Sequence, residues 1–228
     1  MSISPKELVG RKAAELVKDG MVLGLGSGTT VAEFVKSLGE RVREEGLIVY
    51  VVPTSLDSEI MAVEYGLHVV TLTEYPEPDL AVDGADEVDP YKNLIKGGGG
   101  AMTREKIVDY AAKRLVIIVD EGKLVKNLCE KKPIPIEVLS FSWKCVMKKL
   151  EKLGGSASLR LCGGGKLGPI VTDNGNLIID YRPKGGFDAK ALNQALKDIP
   201  GVVETGLFTG DKVDTVMVGY RNGEIGKL

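Results

Sequence analysis

Val22-Leu23-Gly24-Leu25-Gly26-Ser27-Gly28-Thr29-Thr30-Val31-Ala32-Glu33 is the stretch that decides the fold. Its first four residues form an apolar run of strand length. A glycine turn follows, then the capping-box pattern Thr30-Val31-Ala32-Glu33, with Phe34, Val35 and Leu38 continuing a helical period. Strand, glycine turn and helix start together open a βα unit, and in α/β sheets ligands bind at the carboxyl ends of the strands. Upstream, Ser4-Pro5-Lys6-Glu7 combines an N-cap, an N1 proline and a capping Glu, predicting a helix that Gly20 stops. Downstream, strands are expected at Ile48–Val52, Val69–Leu72, Leu80–Asp83 and Leu115–Asp120. Helices are expected through Glu59–Tyr65 and around Arg104–Lys113. Apolar strands alternating with helices specify an α/β fold, a mainly parallel sheet covered on both faces.

The pattern changes near Asn127, before the crossing segment Lys131-Lys132-Pro133-Ile134-Pro135. A strand (Ile136–Leu139), a helix (Trp143–Leu153) and a strand (Ser158–Leu161) come next. A hairpin follows, Ile170–Thr172 and Leu177–Tyr181 about Asn174-Gly175. A helix (Ala189–Ile199) and a strand (Val202–Glu204) complete β-α-β-β-α-β, the order of a smaller ferredoxin-like α/β domain. Val213–Tyr220 is expected to return to the first sheet. The domains are therefore set at 1–127 plus 206–228, and 128–205.

Composition narrows the function. Of 228 residues, 29 are Gly, nearly twice the ~7% average, and only one is His. One His excludes zinc sites built on two, and any Ser-His-Asp mechanism would depend on His68 alone. His68 lies in Gly66-Leu67-His68-Val69-Val70, which reads as the start of a buried strand with a structural His. Lys+Arg is 30 against Asp+Glu 32, with no block of like charge, so no nucleic-acid footprint is expected. Cys129, Cys145 and Cys162 form no CxxC pair and suit reduced thiols. The amino terminus has no apolar h-region and no run is long enough to span a bilayer. The expectation is a soluble cytoplasmic protein without a membrane partner.

Three loops carry the candidate chemistry. Gly26-Ser27-Gly28-Thr29-Thr30 is neither a dinucleotide fingerprint nor a Walker A motif. A hydroxyl-rich phosphate cradle and a plain capped turn are equally good readings of it. Asp83-Gly84-Ala85-Asp86-Glu87-Val88-Asp89 places four carboxylates at a strand end. Binding a divalent cation, acid–base work on a sugar, and a solvated acidic turn all suit it. Lys96-Gly97-Gly98-Gly99-Gly100 runs through Ala101 to Glu105 and into a helix. Four glycines are costly to order, so the loop reads as an oxyanion site made of backbone N–H groups. Lys123 closes the next strand at the same edge, while Gly163–Gly165 carries no assigned chemistry. Glu105 lies in or near the first turn of the helix that follows this loop.

The sequence resembles the type A ribose-5-phosphate isomerases. The resemblance rests on Gly26–Thr30, Asp83–Glu87, Lys96–Ala101 with Arg104-Glu105-Lys106, Lys123 and Gly206-Leu207-Phe208, in the family's order and over nearly the whole chain. It implies a Rossmann-like main domain with a smaller α/β domain. It implies interconversion of D-ribose 5-phosphate and D-ribulose 5-phosphate in the pentose phosphate pathway, without metal or other cofactor. A homo-oligomer, dimer or tetramer, is also implied. Glu105 would be the proton acceptor, with Asp83, Asp86 and Lys96 sharing the catalysis. Ser27, Gly28, Thr29, Thr30, Asp83, Gly84, Ala85, Asp86, Lys96, Gly97, Gly98, Gly99 and Lys123 would contact substrate. The first loop reads Ser-Gly-Thr-Thr where many members have Thr-Gly-Ser-Thr, and Glu121-Gly122 departs from the small residues usual before that Lys. Two other readings stand beside this one: a non-catalytic sugar-phosphate sensor, and a metal-dependent phosphosugar enzyme using Asp83–Asp89.

Overall fold

The computed structural model of the chain describes residues 3–165 and 167–228. In chain order its elements begin α1 (Pro5–Ala14), β1 (Val22–Leu25), α2 (Thr29–Glu45), β2 (Tyr50–Pro53), α3 (Leu56–Glu64), β3 (His68–Val69) and β4 (Leu80–Asp83). Next come β5 (Glu87–Val88), β6 (Leu94–Ile95), α4 (Met102–Ala111), β7 (Leu115–Asp120), β8 (Ile134–Val138), α5 (Trp143–Lys152) and β9 (Gly155–Leu159). The rest are β10 (Leu177–Pro183), α6 (Ala189–Lys197), β11 (Val202–Thr205), β12 (Leu207–Phe208), β13 (Thr215–Gly219) and β14 (Ile225–Lys227). These group into two units. One holds the chain through Ala85, Arg104–Leu124 and Asp211–Leu228, and the other holds Asp86–Thr103 and Val125–Gly210.

The first unit is built on a seven-stranded sheet of order β14-β13-β7-β4-β1-β2-β3. Every neighbouring pair is parallel except β13 with β14. Read from β3, the order 3-2-1-4 reverses direction between β1 and β4, which is the topological switch point where doubly wound sheets open a ligand crevice. β1 and β4 are buried along their whole length, so their sequences are continuous apolar runs. Leu23, Leu25, Val51 and Val116 of the sheet pack with Val9 and Ala13 of α1 and with Val31, Phe34 and Leu38 of α2. β13 pairs with β7, so the last apolar strand does return to this sheet.

The helix starts follow their caps. Ser4 Oγ accepts the Glu7 N–H at 3.2 Å and Pro5 opens α1. α3 begins at Leu56 because Ser55 and Ser58 form a reciprocal capping box, a start earlier than Glu59. α2 departs from the expected capping box. Its N-cap is Gly28, at φ 92°, and no side chain caps it. Thr30 thus lies within the first turn, and its hydroxyl does not serve as the cap. His68 also departs from expectation: it is exposed on the two-residue edge strand β3, its ring 5.9 Å from that of Tyr50. An edge strand this short is not covered on both faces, so the apolar neighbours did not imply burial.

The second unit contains a four-stranded antiparallel sheet of order β11-β8-β10-β9. With α5 and α6 this is the expected β-α-β-β-α-β arrangement. Trp143, Val146, Met147 and Leu150 of α5 and Ala189 and Leu196 of α6 share a core with Ile136, Ile179 and Tyr181 of the sheet. A second, three-stranded sheet joins β12, β6 and β5. Its residues Ile95 and Leu207 belong to that same core, which groups Asp86–Thr103 and the stretch to Gly210 with this unit rather than with the first sheet. The expected hairpin is looser than its pattern: Val171 makes only an isolated bridge to Leu177, and Leu161 one to Pro169. Pro169 has no N–H to donate, and the chain turns tightly at once, with Thr172 N–H donating to Asn176 O at 2.9 Å.

Candidate active site

In the first unit the loops after β1, β4 and β7 emerge at adjacent positions of one sheet edge, because these strands are neighbours and parallel. Asp83 ends β4 and is fully buried, and Glu105 in the first turn of α4 is 4% exposed. Ser27 links them. Its Oγ donates to Glu105 Oε1 at 2.6 Å and its N–H donates to Asp83 Oδ1 at 3.1 Å. Gly84 N–H donates to the same Asp83 oxygen at 2.6 Å. Gly26 must be glycine here, since a Cβ would sit 2.6 Å from Asp83 Cα and collide with the carboxylate. The structure therefore brings together Ser27, Asp83, Gly84 and Glu105.

Along the rest of this edge, Gly28 and Thr29 are exposed, and Thr30 is buried in the first turn of α2. Thr29 Oγ1 accepts from Lys6 Nζ at 2.9 Å. Lys6 was missed by the sequence reading, which saw only the start of a helix. Lys123 lies half-buried on the short turn after β7, where Asp120 accepts the Gly122 N–H at 2.9 Å. The pairing of β7 with β4 is what sets Lys123 beside the other predicted residues of this edge.

In the second unit Asp86 is half-buried and its Oδ2 accepts the Gly98 N–H at 2.7 Å. Lys96 is buried after β6, its ammonium 5.4 Å from the centre of the Phe208 ring. Gly97 adopts φ 96°, and a Cβ there would press on Met102. Gly98 and Gly99 are exposed, and Ala85, the last residue of the first unit, is half-buried. The chain passes between the units at Ala85–Asp86 and again at Thr103–Arg104. Both crossings fall inside the predicted motifs, so Asp83 and Asp86 are tied by two intervening residues, and Gly99 and Glu105 by five.

The four-carboxylate loop divides by role. Glu87 is fully buried and accepts N–H groups from Cys129 at 2.6 Å, Lys131 at 2.5 Å and Lys132 at 2.7 Å. Asp89 accepts from the N–H groups of Tyr91 at 2.9 Å and Asn93 at 2.8 Å. All four carboxylates accept backbone N–H groups, but only Asp83 and Asp86 accept them from predicted site residues, at Ser27, Gly84 and Gly98. Burial pushes the Cys129 thiol up to about 12, and the nearby Glu87 charge pushes the same way. At about pH 8 its thiolate fraction is on the order of one in 10⁴, so iodoacetamide should label exposed Cys145 well before Cys129. Peptide mass mapping of a labelling time course checks this, and equal rates at the two positions would contradict it.

Strand order, switch-point loops and buried carboxylates define a doubly wound α/β protein whose polar groups gather at the ligand-binding edge. Residues 50–223 match the family model of ribose 5-phosphate isomerase A (phosphoriboisomerase A). The ribose-5-phosphate isomerase A of Methanocaldococcus jannaschii is 51% identical over 216 residues, covering 94% of this chain and 93% of the relative. That of Archaeoglobus fulgidus is 49% identical over 221 residues, covering 96% of each. The solved structure of the M. jannaschii isomerase superposes with TM-score 0.93 at 50% identity, covering 98% of this chain and 97% of that one. A D-ribose-5-phosphate isomerase in complex with phospho-erythronic acid gives TM-score 0.95 at 43% identity, covering 100% and 99%. The chain belongs to the ribose-5-phosphate isomerase A family and is an isomerase.

Proposed function

We propose that the protein interconverts D-ribose 5-phosphate and D-ribulose 5-phosphate by proton transfer through an enediolate, in the non-oxidative branch of the pentose phosphate pathway. The observation that carries this is the nearly buried Glu105 carboxylate, oriented by the Ser27 hydroxyl at 2.6 Å. In the open-chain aldose, C2–H lies next to the C1 carbonyl. Glu105 takes that proton and the electron pair moves onto O1, giving the 1,2-enediolate. Glu105 returns the proton to C1 while the O2 hydroxyl proton is passed to O1, so the C2 carbonyl and the O1 hydroxyl of the ketose form together. A carboxylate base fits a chain whose only His is exposed on an edge strand.

The other residues take supporting roles. Lys96 and the amides of Gly97, Gly98 and Gly99 stabilise the developing oxyanion. Asp83 and Asp86 assist ring opening and carry hydroxyl protons. Ser27, Gly28, Thr29 and Thr30, with the uncapped N–H groups of α2, suit the phosphate, and Lys123 adds a cation at the neighbouring strand end. Gly84 and Ala85 contribute backbone to the same edge. The compound bound by the 43%-identical relative supports the class of substrate, since phospho-erythronic acid is a sugar-acid phosphate whose planar carboxylate is shaped like an enediolate end. A homo-oligomer, dimer or tetramer, is supported by exposed apolar side chains in the second unit, among them Phe141 at 99% exposure and Leu161. A cytoplasmic setting is supported by three free thiols.

The test is turnover in D₂O. Deuterium should accumulate at C1 of the ketose and at C2 of recovered aldose over many turnovers. Conversion with no deuterium in either would replace proton transfer by an internal hydride shift, and binding without conversion would favour the sensor.

A further inference from the structure

A loop of four glycines needs something to hold it, and the sequence offers no side chain within the loop to do so. The structure supplies one from β9's end. Arg160 Nη1 donates to Gly97 O at 2.8 Å and to Gly98 O at 3.0 Å. The rest of the guanidinium forms a forked pair with Asp180 of β10, Nε to Oδ2 at 2.9 Å and Nη2 to Oδ1. The pair is largely buried, with side-chain exposures of 14% and 21%. All of these groups lie in the second unit.

We infer that Arg160 is a positioning residue for the isomerisation, acting through the Gly98–Gly99 peptide to aim and strengthen the Gly99 N–H as an oxyanion donor. This rests on the proposed isomerase reading of the loop. A trans peptide is planar, so its N–H points opposite to its C=O. Pinning Gly97 O turns the Gly98 N–H the other way, and that N–H meets Asp86 Oδ2 at 2.7 Å. Pinning Gly98 O in the same manner turns the Gly99 N–H away from Arg160. Gly99 is exposed, a Cβ on it would meet nothing within 4 Å, and its N–H takes no hydrogen bond among the described residues. Local packing therefore does not explain a glycine at 99, whereas close approach by a ligand does. A cation on a carbonyl also polarises the peptide and makes its N–H a better donor. Asp180 neutralises the guanidinium, so Arg160 can serve this purpose without placing a net charge beside the loop. Lys could not do the same, because a point-like ammonium cannot hold a carboxylate by a fork and bridge two carbonyls at once.

The experiment compares wild type, Arg160→Met, Arg160→Lys and Glu105→Gln, each with its folded fraction measured by circular dichroism at the assay temperature. Displacing one aimed donor by about an ångström can cost up to ~10²-fold. The expected result is a kcat per folded chain lower by about 10- to 100-fold in Arg160→Met and by less in Arg160→Lys, with KM changed by under about 3-fold. A merely structural Arg160 would lower the folded fraction or the melting temperature and leave kcat per folded chain alone. Should Arg160→Met not fold, Arg160→Lys carries the comparison. A kcat within about 2-fold of wild type in the folded variants, or an effect confined to KM, overturns the inference. Active wild type, impaired Glu105→Gln and unimpaired Arg160 variants would remove this inference alone. An inactive wild type would instead remove the isomerase reading itself.

Discussion

Glu105→Gln should lower kcat by ~10²–10⁴-fold while leaving the fold and substrate affinity nearly unchanged. Gln keeps the length of the side chain and one oxygen, so it can still accept the Ser27 hydroxyl that the carboxylate accepts at 2.6 Å. What it loses is the capacity to take a proton. Because that capacity matters only when C2–H is being broken, the loss falls on kcat rather than on KM. Ser27→Ala should act more mildly, since it removes the hydroxyl that orients the base and leaves the base itself. A steady-state comparison of the variants, with circular dichroism as the folding control, checks the order Glu105→Gln below Ser27→Ala below wild type. If Glu105→Gln kept more than about a tenth of wild-type kcat, the assignment of the base would be wrong.

Glu137→Ala should cost the second unit about 3–5 kcal/mol of stability. Glu137 lies on β8, fully buried among Ile134, Ile136 and Val138. Its carboxylate accepts from the Thr103 hydroxyl, from Thr172 Oγ1 at 2.9 Å, and from the amides of Asn174 at 3.1 Å and Asn176 at 2.8 Å. Truncation removes the shared acceptor of four donors inside low-dielectric surroundings, where each loss is expensive. For a chain of this size that corresponds to a melting temperature lower by about 10 °C. Glu137→Gln should cost less, because one oxygen acceptor remains, but its amide now faces donors with donors. Thermal melts and urea titrations of the three proteins measure this. A melting temperature within about 2 °C of wild type for Glu137→Ala would show that water replaces the carboxylate at little cost.

These two carboxylates mark how far the sequence could be read. Glu105 was legible because it sits just after a glycine run at a helix start, and a single His leaves few other bases. Asp83 was legible from its place at the end of an apolar strand. The sheet and its order follow from continuous apolar strands such as Leu80–Asp83 and Leu115–Asp120, whose burial on both faces leaves no alternation to confuse them. Glu137 was not legible, because its donors come from residues 34 to 39 positions away, a separation that no local pattern encodes. Arg160 was hidden for the same reason: its partners Gly97 and Gly98 lie more than 60 residues earlier. Glu87 and Asp89 looked equivalent to Asp83 and Asp86 in sequence, and the identity of the donors tells the pairs apart: Ser27, Gly84 and Gly98 for Asp83 and Asp86, residues outside the predicted site for the other two. The cap of α2 misled because Thr30 and Glu33 have the right spacing, yet the helix starts two residues sooner, behind Gly28. The bare first turn that results is what a phosphate-binding loop would need.

The most direct test of the central proposal is the conversion of D-ribose 5-phosphate to D-ribulose 5-phosphate by the unaltered protein, followed with and without EDTA. Turnover is expected at the same rate in both. Sugar-phosphate binding without turnover, or turnover lost in EDTA and restored by a divalent cation, would contradict it.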